Sequence, residues 1–128
     1  MAHAKASIGT TNYAVSIAAG HHQISADERP ELGGKDVGPA PYELLCSALG
    51  ACTAITLRMY AERKQWLLRA VHVDVQFKRE GKKEWIARVL SFDGDLDSER
   101  LARLADIAER TPVTLTLKQG LPITTTVA

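Results

Sequence analysis

The alternation of apolar and polar positions predicts two strands at the start of the chain. Between residues 13 and 17, Tyr, Val and Ile recur at every second position, which is typical of a strand. Ala6 and Ile8 have the opposite parity, so we expect the chain to turn or bulge through residues 9–12. After a turn at residues 19–22, the segment HQISAD is predicted to return as the partner strand.

A long apolar helix is predicted next, after a loop rich in proline and glycine, DERPELGGKDVGPAP. The helix covers the segment PYELLCSALGACTAITLRMYAERKQW, and Pro41 suits its first turn. Residues 44–57 are apolar or small on every face, so this helix is expected to be buried all round. A chain of 128 residues has few ways to cover such a helix alone. We therefore predict a homodimer, in which small residues let a second backbone approach: Ser47, Ala48, Gly50 and Ala51.

The second half of the chain predicts a hairpin, a helix and a closing strand. RAVHVDVQFKRE alternates cleanly, REGKK is a turn, and EWIARVLSFDG is the partner strand. DSERLARLADIAER is an amphipathic helix with Asp97 or Ser98 as its N-cap, and it stops before Pro112. VTLTL leads to a turn at Gly120, and LPITTTV is predicted to end the chain as a strand.

These elements are grouped rather than strictly alternating, which favours an α+β fold in a single domain spanning residues 1–128. The net charge of +1 and the 5% aromatic content give no reason to expect nucleic acid or an acidic membrane as partner. The longest uncharged stretch has 14 residues, short of the roughly 20 that span a bilayer. With no apolar leader segment visible, we expect a soluble cytoplasmic protein with two free cysteines.

Cys52 lies within the apolar helix, and two interpretations of it remain open. Its helical neighbours carry no charge, which favours an inert core thiol: Ala48, Leu49, Ile55 and Thr56. A reactive thiol would need a cation or a hydrogen-bond donor from elsewhere in the fold. Cys46 lies six residues earlier, a rise of about 9 Å. Since disulfide Cα atoms lie within about 7 Å of each other, the two cannot pair in one intact helix, and Cys46 is predicted to be core.

The remaining polar residues predict neither a metal site nor a cofactor site. His21 and His22 are expected to be solvated turn residues, because no cysteine or acid lies at a metal-ligand spacing from them. The carboxylates of the proline- and glycine-rich loop form no acid–base pair, and its glycines match no phosphate-binding pattern. Glu43 lies in the first turn of the long helix, where a negative charge is favoured by the helix dipole.

Two segments resemble the OsmC/Ohr family of osmotically inducible and organic hydroperoxide resistance proteins, closest to its short OsmC-like branch. They are ADERPELGGKDVGPAPYELLCSALGACTAITLRMYAERKQW and FDGDLDSERLARLADIAERTPV. The resemblance implies an α+β fold in which two chains intertwine, with the long central helices lying back to back between antiparallel sheets. This expectation agrees with a helix that is apolar on every face.

The resemblance also implies thiol peroxidase chemistry. Cys52 occupies the position of the peroxidatic cysteine, which the family activates with an arginine and a glutamate and resolves with a cysteine before a proline. Here the resolving position is Thr111, the glutamate position is Tyr42 with Glu43 one step later, and the first hairpin contains no arginine. Arg29 or Lys35 of the following loop could take the place of that arginine.

We therefore predict thiol-dependent reduction of organic or lipid hydroperoxides, with Cys52 as nucleophile and Glu43 as the second candidate catalytic residue. An external thiol, or Cys46 after rearrangement, would regenerate Cys52. The alternative is a catalytically degenerate dimer that binds a small apolar ligand in the former peroxide pocket. A purely structural interaction protein is a third hypothesis, for which the sequence offers no motif.

Overall fold

The computed structural model describes all 128 residues and has an α+β fold, as the sequence predicts. The elements in chain order are β1 (Ala4–Ile8), β2 (Val15–Ala19), β3 (His22–Ala26), a short 3₁₀ helix (Pro30–Leu32), α1 (Pro41–Arg63), β4 (Leu68–Glu80), β5 (Lys83–Gly94), α2 (Ser98–Ala108) and α3 (Pro112–Gln119). The chain divides into two compact units, Met1–Leu45 and Cys46–Ala128.

The first unit contains an antiparallel sheet in the order β1-β2-β3. β1 is a strand of its own, because it pairs along its whole length with β2, from Ala4 opposite Ala19 to Ile8 opposite Val15. The expected turn after residue 8 is confirmed, and the sequence-predicted strand pair is therefore a three-stranded sheet. The turn between β2 and β3 is tight, and Gly20 supplies its positive φ of 59°.

Asp27 holds the loop that follows β3. Its side chain is buried, and its two carboxylate oxygens accept hydrogen bonds of 2.7 to 3.2 Å from four backbone N–H groups, those of Tyr13, Glu28, Lys35 and Val37. Burial opposes ionisation, but the four donors outweigh it and hold the pKa of Asp27 below its ordinary value. The loop is thus ordered by a single carboxylate, which the sequence pattern did not single out.

Helix α1 begins at Pro41, as predicted, and runs for 23 residues. Within one chain, one stripe of the helix is buried, at a spacing of four residues: Leu49, Thr53, Leu57 and Ala61. Ile55 and Met59, on another face, remain 55% and 53% exposed. One chain therefore covers only part of the apolar surface of α1.

The second unit is built on the long β4–β5 hairpin, whose register sets Val73 opposite Leu90 and Phe77 opposite Ile86. The core of this unit joins the hairpin, α1 and α2 through five buried residues: Leu57, Ala61, Leu68, Leu104 and Ala108. Asp97 is the N-cap of α2, as predicted, and its side chain accepts a hydrogen bond from the Arg100 N–H.

The predicted final strand is wrong. VTLTL belongs to α3, and residues 121–128 form no regular element. The β-branched residues of this stretch favour strands. Pro112 stands in the first turn of α3, and Thr114 is buried on this helix, so VTLTL, for which the sequence predicts no strand, is helical. The predicted strand, residues 121–127, pairs with no strand of the chain, so its β-branched residues have no sheet to join.

Candidate functional site

Cys52 lies half-buried on α1, and its sulfur is a free thiol. The nearest polar group is the Thr56 hydroxyl one turn further along the helix, with Sγ and Oγ1 separated by 4.0 Å. Cys46 is also free and half-buried, which confirms that the two cysteines do not pair. The site therefore offers a thiol that is accessible on one side and supported by a weak hydrogen-bonding contact.

Glu43 caps the N-terminus of α1. Its Oε1 accepts a hydrogen bond of 2.9 Å from the backbone N–H of Ala40. This is the carboxylate half of a capping box, in which an acid in the first turn reaches back to the N-cap N–H. Glu43 and Cys52 thus have separate local partners on the same helix, and a joint catalytic role for them stays a prediction.

The structure adds a buried arginine that the sequence reasoning missed. Arg88 projects from β5 with only 11% of its side chain exposed. Its Nη1 donates to the hydroxyls of Thr53 and Thr114, both at 2.9 Å. Its Nη2 donates to the Ala108 carbonyl at 2.9 Å and to the Glu109 carboxylate at 3.2 Å. We call these five residues the Arg88 cluster. The sequence clue to this cluster was the position of Arg88 within the run EWIARVL. A charge in such a run is expected to be buried, and a buried charge requires partners.

Thr111, at the family's resolving position, is joined to this cluster. It is fully buried, and its hydroxyl lies 2.6 Å from the Thr114 hydroxyl. Thr53, the residue after Cys52, donates to the Leu49 carbonyl at 2.7 Å and accepts from Arg88. The cluster therefore connects the turn of α1 that carries Cys52 to the junction of α2 and α3. Position 111, where the family resemblance predicts a resolving cysteine, carries a buried hydroxyl that is bonded to the hydroxyl of Thr114.

Glu109 completes the outer side of the Arg88 cluster. Lys118 donates to its carboxylate at 3.1 Å. This hydrogen bond, followed by that from Arg88, holds the pKa of Glu109 below its ordinary value although burial opposes ionisation. Glu109 consequently stays ionised next to the guanidinium across the neutral pH range.

The structure also describes the histidines and the loop cations that the sequence analysis considered. The rings of His21 and His22 stack at 4.2 Å beside the β2–β3 turn, and both residues are exposed. The backbone N–H of Lys35 donates a hydrogen bond to Asp27. That Arg29 or Lys35 takes the role of the family arginine stays a prediction. No group of three His, Cys, Asp or Glu side chains is arranged to hold a metal ion.

Two shallow grooves run along the exposed side of α1. One, of about 390 Å³, is lined by Cys46, Ser47, Gly50, Ala51, Val73 and Val75. The other, of about 420 Å³, is lined by Ala54, Ile55, Arg58, Met59, Glu62 and Val71. The first groove is lined by small residues and two valines, whereas the second has an apolar surface from Ala54, Ile55, Met59 and Val71.

The chain is an α+β protein with a free thiol in a long apolar helix. Comparison with known families identifies the family that shares these features. The profile of the family described as OsmC-like protein matches residues 33–126. The chain belongs to this family. Helix α1 is long and apolar enough to cross a membrane by length and composition alone, as core helices of soluble proteins also are. Proteins of the OsmC family are generally soluble.

Solved structures support the same fold. An OsmC-like protein from Mycoplasma pneumoniae is 20% identical, with 92% of this chain and 87% of that chain covered and a TM-score of 0.79. An organic hydroperoxide resistance protein from Legionella pneumophila is 20% identical, with 92% and 89% covered and a TM-score of 0.63.

A third similar structure carries a bound molecule. It is a putative organic hydroperoxide resistance protein from Vibrio cholerae O1 biovar eltor, with captopril bound in one of its active sites. It is 20% identical to this chain, with 92% and 84% of the two chains covered and a TM-score of 0.67. No curated protein sequence matches the chain significantly.

Proposed function

We propose that this protein is a homodimeric, cytoplasmic reductase of organic hydroperoxides that uses Cys52 as its only essential thiol. The observation that carries the proposal is the free, half-buried Cys52 within the helix that the OsmC-like family profile covers. The similar proteins named for organic hydroperoxide resistance support this class of substrate.

The proposed cycle begins with the Cys52 thiolate. It attacks one peroxide oxygen, the O–O bond breaks, and the alcohol leaves after taking up a proton, so that Cys52 becomes a sulfenic acid. A thiol from solution then condenses with the sulfenic acid to give a mixed disulfide and water. A second thiol attacks this disulfide, which restores Cys52 and releases the oxidised reductant.

Dependence on an external thiol follows from Thr111. A hydroxyl cannot form a disulfide, and this one is buried and bonded to Thr114 of the Arg88 cluster. The alternative resolving group is Cys46, which a helix places about 9 Å of rise away from Cys52. Resolution by Cys46 would require α1 to unwind locally, so we favour the one-cysteine cycle.

The homodimer is proposed from the surface of α1. Ile55 and Met59 are more than half exposed in one chain, and small residues flank them at Ser47 and Ala51. Burying this face against the same face of a second chain would stabilise a dimer by about 25 cal/mol for each Å² of apolar area removed from water. A two-fold contact also lets the small residues of the two helices approach closely.

A peroxidase assay tests the proposal. The wild type is mixed with cumene hydroperoxide and a dithiol, and dimedone labelling followed by mass spectrometry locates any sulfenic acid. We expect turnover only with the added thiol, a label on Cys52, loss of turnover in Cys52→Ser, and near-normal turnover in Cys46→Ser. A label confined to Cys46, or turnover in Cys52→Ser, would overturn the assignment.

A second candidate function is the binding of a small apolar ligand by a catalytically inactive dimer. The apolar groove lined by Ile55, Met59 and Val71 favours it, together with the absence of a thiol at Thr111. Native mass spectrometry of the purified protein would detect such a ligand. Equal ligand occupancy in wild type and Cys52→Ser, combined with no peroxidase turnover, would favour this function over the first.

A further inference from the structure

A cleft in the second unit, away from Cys52, is lined by three cations and one indole ring. It has a volume of about 690 Å³ and lies between the end of α1 and the first turns of α2. Its charged and aromatic lining residues are Lys64, Trp66, Asp97, Glu99, Arg100 and Arg103. A volume of this size accommodates a small organic molecule.

The cations of this cleft lie over aromatic rings. Lys64 Nζ is 5.7 Å from the centre of the Tyr60 ring, and the Arg100 guanidinium is 5.3 Å from the centre of the Trp66 ring. The two rings meet edge to face at 5.5 Å. Neither Lys64 nor Arg100 forms an ion pair, so both keep N–H donors available on exposed side chains.

Tyr60 is not part of the cleft lining, but its ring contacts Trp66 and its hydroxyl contacts Arg103. The hydroxyl accepts a hydrogen bond of 3.1 Å from Arg103 Nε, which ties this lining cation to the ring. The Arg103 hydrogen bond, with the positive charges of Arg103 and Lys64, holds the pKa of Tyr60 below its ordinary value although burial opposes this. The potential at the hydroxyl is therefore positive.

The carboxylates nearby are mostly engaged. Asp97 accepts the Arg100 backbone N–H as the N-cap of α2. Asp106 is shared between the guanidinium groups of Arg103 and Arg110, at 3.0 and 2.7 Å. Glu99 is the remaining acid on the lining. Three cations and two acids line the cleft, and neither Lys64 nor Arg100 forms an ion pair.

We propose that this cleft binds a small organic anion, with its carboxylate or phosphate group held by Lys64 and Arg100. The apolar body of the ligand lies against Trp66. Charged hydrogen bonds supply the orientation, and the indole supplies apolar contact area. The proposal does not rest on the thiol chemistry, because Tyr60 lies eight residues beyond Cys52, about 12 Å along the helix.

Tryptophan fluorescence tests the proposal in the full-length protein. The chain has two tryptophans, so Trp85→Phe leaves Trp66 as the only indole reporter. Phenyl phosphate and benzoate are titrated separately, with benzyl alcohol as the uncharged analogue of similar shape. We expect saturable quenching by at least one anion and at least tenfold weaker binding of the alcohol. The anion that saturates first identifies the group preferred.

The control variants use a matched cation–aromatic pair elsewhere. Lys83 Nζ lies 5.4 Å from the Trp85 ring centre on the β4–β5 hairpin, without a cleft. Lys64→Gln and Arg100→Gln should each weaken anion binding by about three- to tenfold, while Lys83→Gln, measured by calorimetry with Trp85 intact, should change it less than twofold. Cys52→Ser should bind as wild type does. The absence of saturation by either anion at millimolar concentrations, or equal losses in the Lys64 and Lys83 variants, would overturn the proposal.

Discussion

Replacing Arg88 by methionine should lower the stability of the fold substantially. The substitution keeps most of the side-chain length and removes all four hydrogen bonds that the guanidinium donates. Thr53 and Thr114 are 0% and 5% exposed, so water cannot easily replace the lost donor. Arg88→Met therefore leaves buried hydroxyl oxygens with one partner fewer.

The size of the loss follows from these contacts. A hydrogen bond from a charged donor contributes about 1.5–3 kcal/mol, but removing Arg88 also removes the desolvation penalty of its charge. The Thr53 hydroxyl keeps its bond to Leu49, and the Ala108 carbonyl keeps a contact of 3.3 Å with Thr114 Oγ1. We expect a net loss of about 3 kcal/mol in the free energy of unfolding, a roughly hundredfold change in the folding equilibrium constant.

Urea denaturation followed by circular dichroism measures this loss. Wild type and variants must be compared at one protein concentration, because association affects apparent stability. Arg69→Met is the matched control, since the Arg69–Asp93 pair is 67% and 64% exposed, and such pairs contribute about 0–1 kcal/mol. Arg88→Lys should recover part of the loss. The reasoning is refuted if Arg88→Met costs no more than Arg69→Met.

Two further predictions concern the loop that Asp27 holds and the exposed face of α1. Asp27 has a lowered pKa in the fold, so its contribution to stability is present at neutral pH and declines once the pH falls below about 4, the value for an unperturbed aspartate. The difference in urea midpoint between wild type and Asp27→Asn should therefore shrink between pH 7 and pH 3, and a constant difference would contradict this role of Asp27. Ile55→Glu places a charge on the exposed apolar face of α1 and should convert the proposed dimer to monomer in analytical ultracentrifugation. Glu80→Gln, on the hairpin, should leave the mass unchanged, and a dimeric Ile55→Glu protein would exclude this face as the interface.

Much of the fold could be predicted because local patterns agreed with tertiary packing. Pro41 marks the start of α1, Asp97 caps α2, and the period-two pattern of β4 defines its two faces. The failure at the C-terminus has the opposite cause. The β-branched residues of the segment 121–127 favour a strand, but this segment has no partner strand within the chain.

The candidate site could be predicted only in part. Cys52 was identified from the helix motif, and its free thiol agrees with the spacing argument. The roles of Asp27 and Arg88 depend on groups far away in sequence: Asp27 binds the N–H of Tyr13, and Arg88 binds Thr53 from a distance of 35 residues. Periodicity identifies which face a residue occupies, but it does not identify which distant polar groups converge on that residue.

The central claim is that Cys52 is a peroxidatic thiol, and its rate of oxidation tests this most directly. Stopped-flow mixing of the reduced protein with cumene hydroperoxide gives the second-order rate constant for sulfenic acid formation in wild type, Cys46→Ser and Cys52→Ser. We predict that wild type and Cys46→Ser react at similar rates, well above that of free cysteine at the same pH, and that Cys52→Ser does not react. A wild-type rate no faster than that of free cysteine would contradict it.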